Sequence, residues 1–138
     1  MISTVAVGTD GSTTAEEAVK EAAEIARRFG AKLVLLSAFK GAPAAASEDM
    51  ELQWASSSSA RLSSSLERAQ AELGRHGLEC QTRIDEGDPA EVLVRLAEEC
   101  GADLLVIGNK GMKRRVPGSV PNSVTHKAGC SVLVVKTT

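Results

Sequence analysis

Residues 1–30 read MISTVAVGTDGSTTAEEAVKEAAEIARRFG, and this stretch decides the fold. Val5-Ala6-Val7 is an apolar run without polar alternation. Such a run suits a strand covered on both faces, as in a parallel sheet. Gly8-Thr9-Asp10-Gly11-Ser12 is a glycine-punctuated turn, and Thr13 with Glu16 carries the spacing of a capping box. Ala15, Ala18, Val19, Ala22, Ile25, Ala26 and Phe29 follow at helical intervals, and Gly30 supplies the stop. Strand, turn and helix in this order open a βαβ unit.

The same grammar continues along the chain. Leu33-Val34-Leu35-Leu36, Leu104-Leu105-Val106-Ile107 and Val132-Leu133-Val134-Val135 are further unalternated runs. Cys80-Gln81-Thr82-Arg83-Ile84 does alternate, which marks a half-exposed strand at an edge. Leu52, Ala55, Ser59, Leu62, Leu66, Ala69 and Leu73 draw a seam down a second helix that closes near Gly74 or Gly77. Asp88-Pro89-x-Glu91 opens a third helix with a cap, a first-turn proline and an acid, and Gly101 closes it. A short fourth helix runs from about Ser119 to Lys127, before Gly129. The alternation predicts an α/β fold: a five-stranded parallel open sheet with helices on both faces, Rossmann-like. With the alternating third strand at an edge, the strand order is 3-2-1-4-5. Residues 1–138 form one domain without repeats, and Gly41–Ser47 is the stretch expected to be mobile.

Composition narrows the function. Apolar residues make up 43% and charged residues 25%, as in ordinary globular chains. No apolar run nears the roughly 20 residues of a membrane helix, and Met1-Ile2-Ser3-Thr4 starts no signal peptide. No membrane partner is expected. Phe29, Phe39 and Trp54 are the only aromatics, which argues against nucleic-acid modules that stack bases on rings. Trp54 reads as a helix anchor. Cys80, Cys100 and Cys130 are odd in number, with no CxxC pair and no metal-ligand spacing. They read as small buried hydrophobes of a reducing, cytoplasmic protein. His76 and His126 fall at helix ends, where a cation suits the dipole.

The net charge of −2 hides an asymmetry. Residues 1–103 hold all 18 acids and 10 bases, whereas residues 104–138 hold 6 bases and no acid. Four of those six lie in the loop Gly108-Asn109-Lys110-Gly111-Met112-Lys113-Arg114-Arg115-Val116-Pro117-Gly118-Ser119. Glycines there let backbone approach a ligand, a helix N-terminus follows, and cations add charge-assisted bonds. The alternative for this loop is a solvated basic surface. It matches neither the Walker pattern nor Gly-x-Gly-x-x-Gly. In the order 3-2-1-4-5, ligands bind where the order reverses, between the first and fourth strands. The loop after the first strand carries Asp10, which can accept hydrogen bonds from a ribose or base. Its alternative is a helix-entry turn capped by Asp10 or Ser12.

The whole chain resembles the universal stress protein family, of the UspA-like, ATP-binding type. The resemblance rests on Val5-Ala6-Val7-Gly8-Thr9-Asp10-Gly11-Ser12, Leu36-Ser37-Ala38, Gly87-Asp88-Pro89, Ala102 through Gly111, and Gly118-Ser119-Val120-Pro121. It implies that Gly108, Asn109, Gly111, Gly118 and Ser119 hold phosphate and ribose. It also implies that Thr9 and Asp10 face the adenosine, that Ala38 and Ile107 lie near the base, and that Val120 adds a backbone N–H. The implied ligand is ATP, AMP or cyclic AMP, with magnesium as its counter-ion. The implied assembly is a homodimer through Ser131–Val135, a strand apolar on both faces. One departure stands out: six residues separate Gly111 from Gly118, where the family motif Gly-x2-Gly-x9-Gly-Ser/Thr places nine.

Three functions follow from these readings: a cytoplasmic nucleotide-binding stress regulator, an interaction dimer of the same fold that binds no nucleotide, and an enzyme. No His, Cys or second carboxylate is clearly paired with Asp10, so dedicated catalysis is not expected, and at most slow ATP hydrolysis. A receiver-like phosphorylation domain would gather Asp10, Asp85 and Lys136, but it needs a central third strand.

Overall fold

The structure, a computed structural model, describes residues 1–41, 47–109 and 120–137. The elements are β1 (Thr4–Gly8), α1 (Thr13–Phe29), β2 (Lys32–Phe39), α2 (Glu48–Arg75), β3 (Cys80–Glu86), α3 (Pro89–Glu99), β4 (Leu104–Gly108), α4 (Val120–Lys127) and β5 (Ser131–Val135). The sheet runs β3-β2-β1-β4-β5 and its pairings are parallel, the order expected from the alternation in the third strand. β3 is half-exposed at the edge, and its Asp85 is held by Arg95 at 2.9 Å. The geometry of a receiver domain is therefore absent. Most of the loop Gly41–Ser47 lies outside the described residues.

Side chains alternate across the sheet and build two cores. On one face, Val5, Val7, Leu33, Leu35, Leu104 and Val106 pack under α1 and α2. On the other, Ala6, Val34, Leu36, Leu105 and Ile107 pack under α3 and α4. Strands buried on both sides need no polar alternation, which is why the four apolar runs read as they do. Alanines let α1 lie close to the sheet: Ala15, Ala18, Ala22, Ala23 and Ala26 are all buried. Asp103 staples the start of β1, accepting from Ser3 N at 2.8 Å, Ser3 Oγ at 3.0 Å and Thr4 N at 2.9 Å.

Several local expectations shift. Ser12, not Thr13, caps α1: its backbone is extended, and its hydroxyl accepts from Ala15 N at 3.2 Å. Phe29 sits at helical spacing but is 56% exposed, being the last residue before Gly30 turns the chain away. The cysteines are half-buried free thiols rather than core residues, and burial raises the pKa of each. His76 is exposed and lies 3.2 Å from Glu72. The seam of α2 packs only in its second half. Leu66 and Leu73 are buried, while Leu52 is 69% exposed. The reason is length: Ser65 already meets the β1–α1 turn at Gly11, so the residues before it run past the ends of β1 and β4. Trp54 does act as an anchor there, donating from Nε1 to Lys40 O at 2.9 Å.

Candidate functional site

β1 and β4 are neighbours, with Val7 beside Val106. The loops that leave Gly8 and Gly108 therefore start side by side, at the reversal of strand order where open α/β sheets bind ligands.

The first loop is tied down by its own polar groups. Thr9 is 5% exposed. Its N–H donates to Leu36 O at 2.9 Å, its Oγ1 accepts from Gly11 N at 3.1 Å, and its carbonyl accepts from the Ser37 hydroxyl. Gly11 adopts φ +81°, a left-handed conformation that glycine tolerates best, and a Cβ there would collide with Ser65 Oγ. Asp10 points outward. One carboxylate oxygen accepts from Ser12 N at 2.9 Å, and among the described residues the other has no partner. The turn is thus both a helix entry capped by Ser12 and a platform that presents an acceptor. The helix-entry reading of this loop is borne out, with Ser12 as the cap.

The apolar candidates are core residues, with Ile107 and Val120 each 2% exposed. Ala38, Ile107 and Val120 come from β2, β4 and α4, and all belong to the α3/α4 core. Gly8 is pressed against the same core: a Cβ there would sit 2.9 Å from Leu93 Cδ1 and 3.4 Å from Ile107 Cγ2. Close packing of β1 against α3 accounts for this glycine.

Gly108 faces the opposite way. Its missing Cβ would lie 3.1 Å from Thr137 Cγ2 and 3.8 Å from Ala18 Cβ, so close packing against α1 and the C-terminal segment accounts for the glycine. Asn109 serves that packing too. Its Oδ1 accepts from Thr137 N at 2.7 Å and Thr137 Oγ1 at 2.9 Å, and its own N–H donates to Val135 O at 3.0 Å. Lys110, Gly111, Lys113, Arg114, Arg115, Gly118 and Ser119 lie outside the described residues.

Two contributors went unremarked in the sequence. Ser37 holds the Thr9 carbonyl, and Thr137 holds Asn109. A serine inside an otherwise apolar strand was a usable signal for the first, since a buried hydroxyl needs a partner. Nothing marked Thr137. Among the described residues, no group of three His, Cys, Asp or Glu side chains is placed to hold a metal, and no helix is long and apolar enough to cross a membrane.

The family model described as "Universal stress protein family" matches residues 1–136. Universal stress protein Rv1636 of Mycobacterium tuberculosis is 37% identical, over 98% of this chain and 97% of its own. A crystal structure of a universal stress protein in complex with cAMP is 33% identical, with a TM-score of 0.78 and 99% of both chains covered. The universal stress protein of Archaeoglobus fulgidus in complex with dAMP is 26% identical, with a TM-score of 0.70 over 99% of this chain and 100% of its own. Fold, first-loop geometry and these matches agree: the chain belongs to the universal stress protein family.

Proposed function

We propose that this chain binds an adenine nucleotide as a regulatory ligand and acts as a cytoplasmic stress-response homodimer. The observation that carries the reading is the outward acceptor Asp10, held on the tied-down β1–α1 loop at the point where the strand order reverses. A carboxylate there suits the hydroxyls of a ribose or the amino group of a base. The relatives solved with cAMP and dAMP support the same ligand class. In this reading Thr9 and Asp10 face the adenosine, while Gly108, Asn109, Gly111, Gly118, Ser119 and the Val120 N–H serve ribose and phosphate. ATP and AMP are the ligands to test, with magnesium as counter-ion. The role of the protein is binding. Burial pushes its three thiols up, away from the reactive thiolate, and no activated nucleophile stands among the described residues of the site.

The homodimer is proposed through Ser131–Val135. β5 is the last strand of the sheet, and Val134 is 40% exposed on it, so an apolar edge stands ready to pair. Light scattering that finds a monomer at micromolar concentration overturns this contact.

Calorimetry with ATP, AMP and cyclic AMP, with magnesium present, tests the ligand. Absence of both heat and thermal shift at millimolar ligand refutes it. The second reading is a dimer of this fold that binds no nucleotide. It is favoured by the commitment of the Asn109 carbonyl to Thr137 and by the six-residue spacing of the phosphate loop. Nucleotide retained through purification separates the two.

A further inference from the structure

Thr137 lies beyond the last strand and yet is 1% exposed. Both branches of its side chain are in use. The methyl covers Gly108, where a Cβ would come within 3.1 Å of Cγ2, and the hydroxyl donates to Asn109 Oδ1 at 2.9 Å. The backbone N–H of Thr137 donates to the same oxygen at 2.7 Å. An N–H can only donate, so the end of the Asn109 amide turned toward Thr137 is its oxygen. Two bonds from one residue, one of them from the main chain, fix that orientation.

Asn109 is exposed, and its Nδ2 has no partner among the described residues. The hold on the oxygen thus takes up the acceptor of this side chain and leaves its two N–H donors. Asp10 is the converse, since an ionised carboxylate only accepts, and among the described residues one of its oxygens has no partner. Val7 pairs with Val106, and Asp10 and Asn109 each follow that pair by three residues. The switch point therefore offers an acceptor-only group on the chain after β1 and a donor-only group on the chain after β4, at the same level of neighbouring strands. A nucleotide has the matching polarity: hydroxyl and amino donors on the nucleoside, and phosphoryl oxygens that only accept.

We infer that Thr137 is a positioning residue for the ligand's phosphate: by holding the Asn109 oxygen it sets the amide so that Asn109 meets a phosphoryl oxygen as a donor, while Asp10 serves the nucleoside. The inference rests on the nucleotide reading proposed above. Serine at 137 would keep the hydroxyl without the methyl over Gly108, and valine would keep a methyl without the hydroxyl. Aspartate at 109 would keep an oxygen for Thr137 and put a second acceptor where the donor was, which reverses the polarity offered to the ligand at nearly constant shape.

The test is calorimetry of the full chain with AMP and with adenosine, beside urea unfolding of each variant. Asn109→Asp retains both bonds from Thr137, so its urea midpoint should stay near that of the wild type. Its AMP affinity should fall at least about tenfold, as for a lost bond to a charged group, and its adenosine affinity much less. The loss should persist at about 1 M salt, where a Debye length of about 3 Å screens simple repulsion. Thr137→Val should weaken AMP by about threefold or more, and Thr137→Ser should restore it. A wild-type chain that binds neither ligand overturns the nucleotide reading and this inference with it. A wild-type chain that binds adenosine but not AMP overturns the inference alone. So does an Asn109→Asp protein that keeps its AMP affinity, loses adenosine equally, or regains AMP at high salt. A Thr137→Val protein with a lower urea midpoint and unchanged AMP affinity overturns the positioning role, for Thr137 would then only hold the fold.

Discussion

Removing the Ser37 hydroxyl probes the loop that carries Asp10. Ser37 is 1% exposed, and among the described residues it is the donor to the Thr9 carbonyl. In Ser37→Ala that carbonyl stays buried beneath the β1–α1 turn with nothing in its place. A stranded acceptor of this kind costs about 1–3 kcal/mol. For a chain of this size that is a fall of about 3–12 °C in Tm. Urea unfolding should show a lower midpoint with an unchanged slope, since the surface exposed on unfolding is the same. Ser37→Cys keeps a weak donor and should fall between the two. The protein stays folded at 25 °C, because such a loss is a fraction of the usual 5–15 kcal/mol or so. Nucleotide affinity should drop alongside, as the released carbonyl lets Asp10 wander from its platform. A destabilisation below about 0.5 kcal/mol would refute the reasoning, for it would mean that water reaches the Thr9 carbonyl and the loop is not sealed.

Leu66→Ala should cost about 2–5 kcal/mol, while Leu52→Ala, on the same seam but exposed, should cost under about 0.5 kcal/mol; paired urea titrations check where the core beneath α2 ends. Backbone N–H bonds from Ser3 and Thr4 hold the Asp103 carboxyl below its ordinary value. Its stabilising effect is therefore present above the unfolded pKa and lost as pH falls through the depressed folded one, so Asp103→Ala should flatten the acid limb of a Tm–pH profile below the ordinary aspartate range. Three residues inserted after Met112, restoring the family spacing, should strengthen ATP relative to AMP in calorimetry; an unchanged ratio counts against a role for the short loop. Gly111→Val, at a position proposed to meet phosphate, should abolish nucleotide binding in a folded protein, as calorimetry reads it.

The fold was legible because both of its determinants are local. Unalternated runs such as Leu33–Leu36 announce burial on two faces, and the alternation in Cys80–Ile84 announces the edge. Strand order followed from that one contrast. The site was legible only where topology constrains it. Switch-point logic singled out Thr9–Asp10 and the chain after Gly108, but it could not tell a glycine kept for a ligand from one kept for packing. Both glycines turn out to be packed, Gly8 against Leu93 and Gly108 against Thr137 and Ala18. That distinction depends on which face each residue takes. The seam of α2 misled for a related reason. Periodicity reports which side of a helix is apolar, not how far the sheet beneath it extends, and Leu52 lies beyond that sheet.

β1 is the first strand in the chain and the middle strand of the sheet. One of its partners, β2, follows within 30 residues, but Leu104, the partner of Val5 on the other side, comes 99 residues later. Leu36, the last β2 partner of β1, precedes Leu104 by 68 residues, so at a ribosomal rate of about 5–20 residues per second the nascent strand has one finished side and one bare one for roughly 3–14 seconds. During synthesis the central strand of the sheet is thus its most vulnerable. Chaperones that recognise short apolar strands would meet Val5-Ala6-Val7 before β4 does, and the Asp103 staple on Ser3 and Thr4 would be among the last bonds to close.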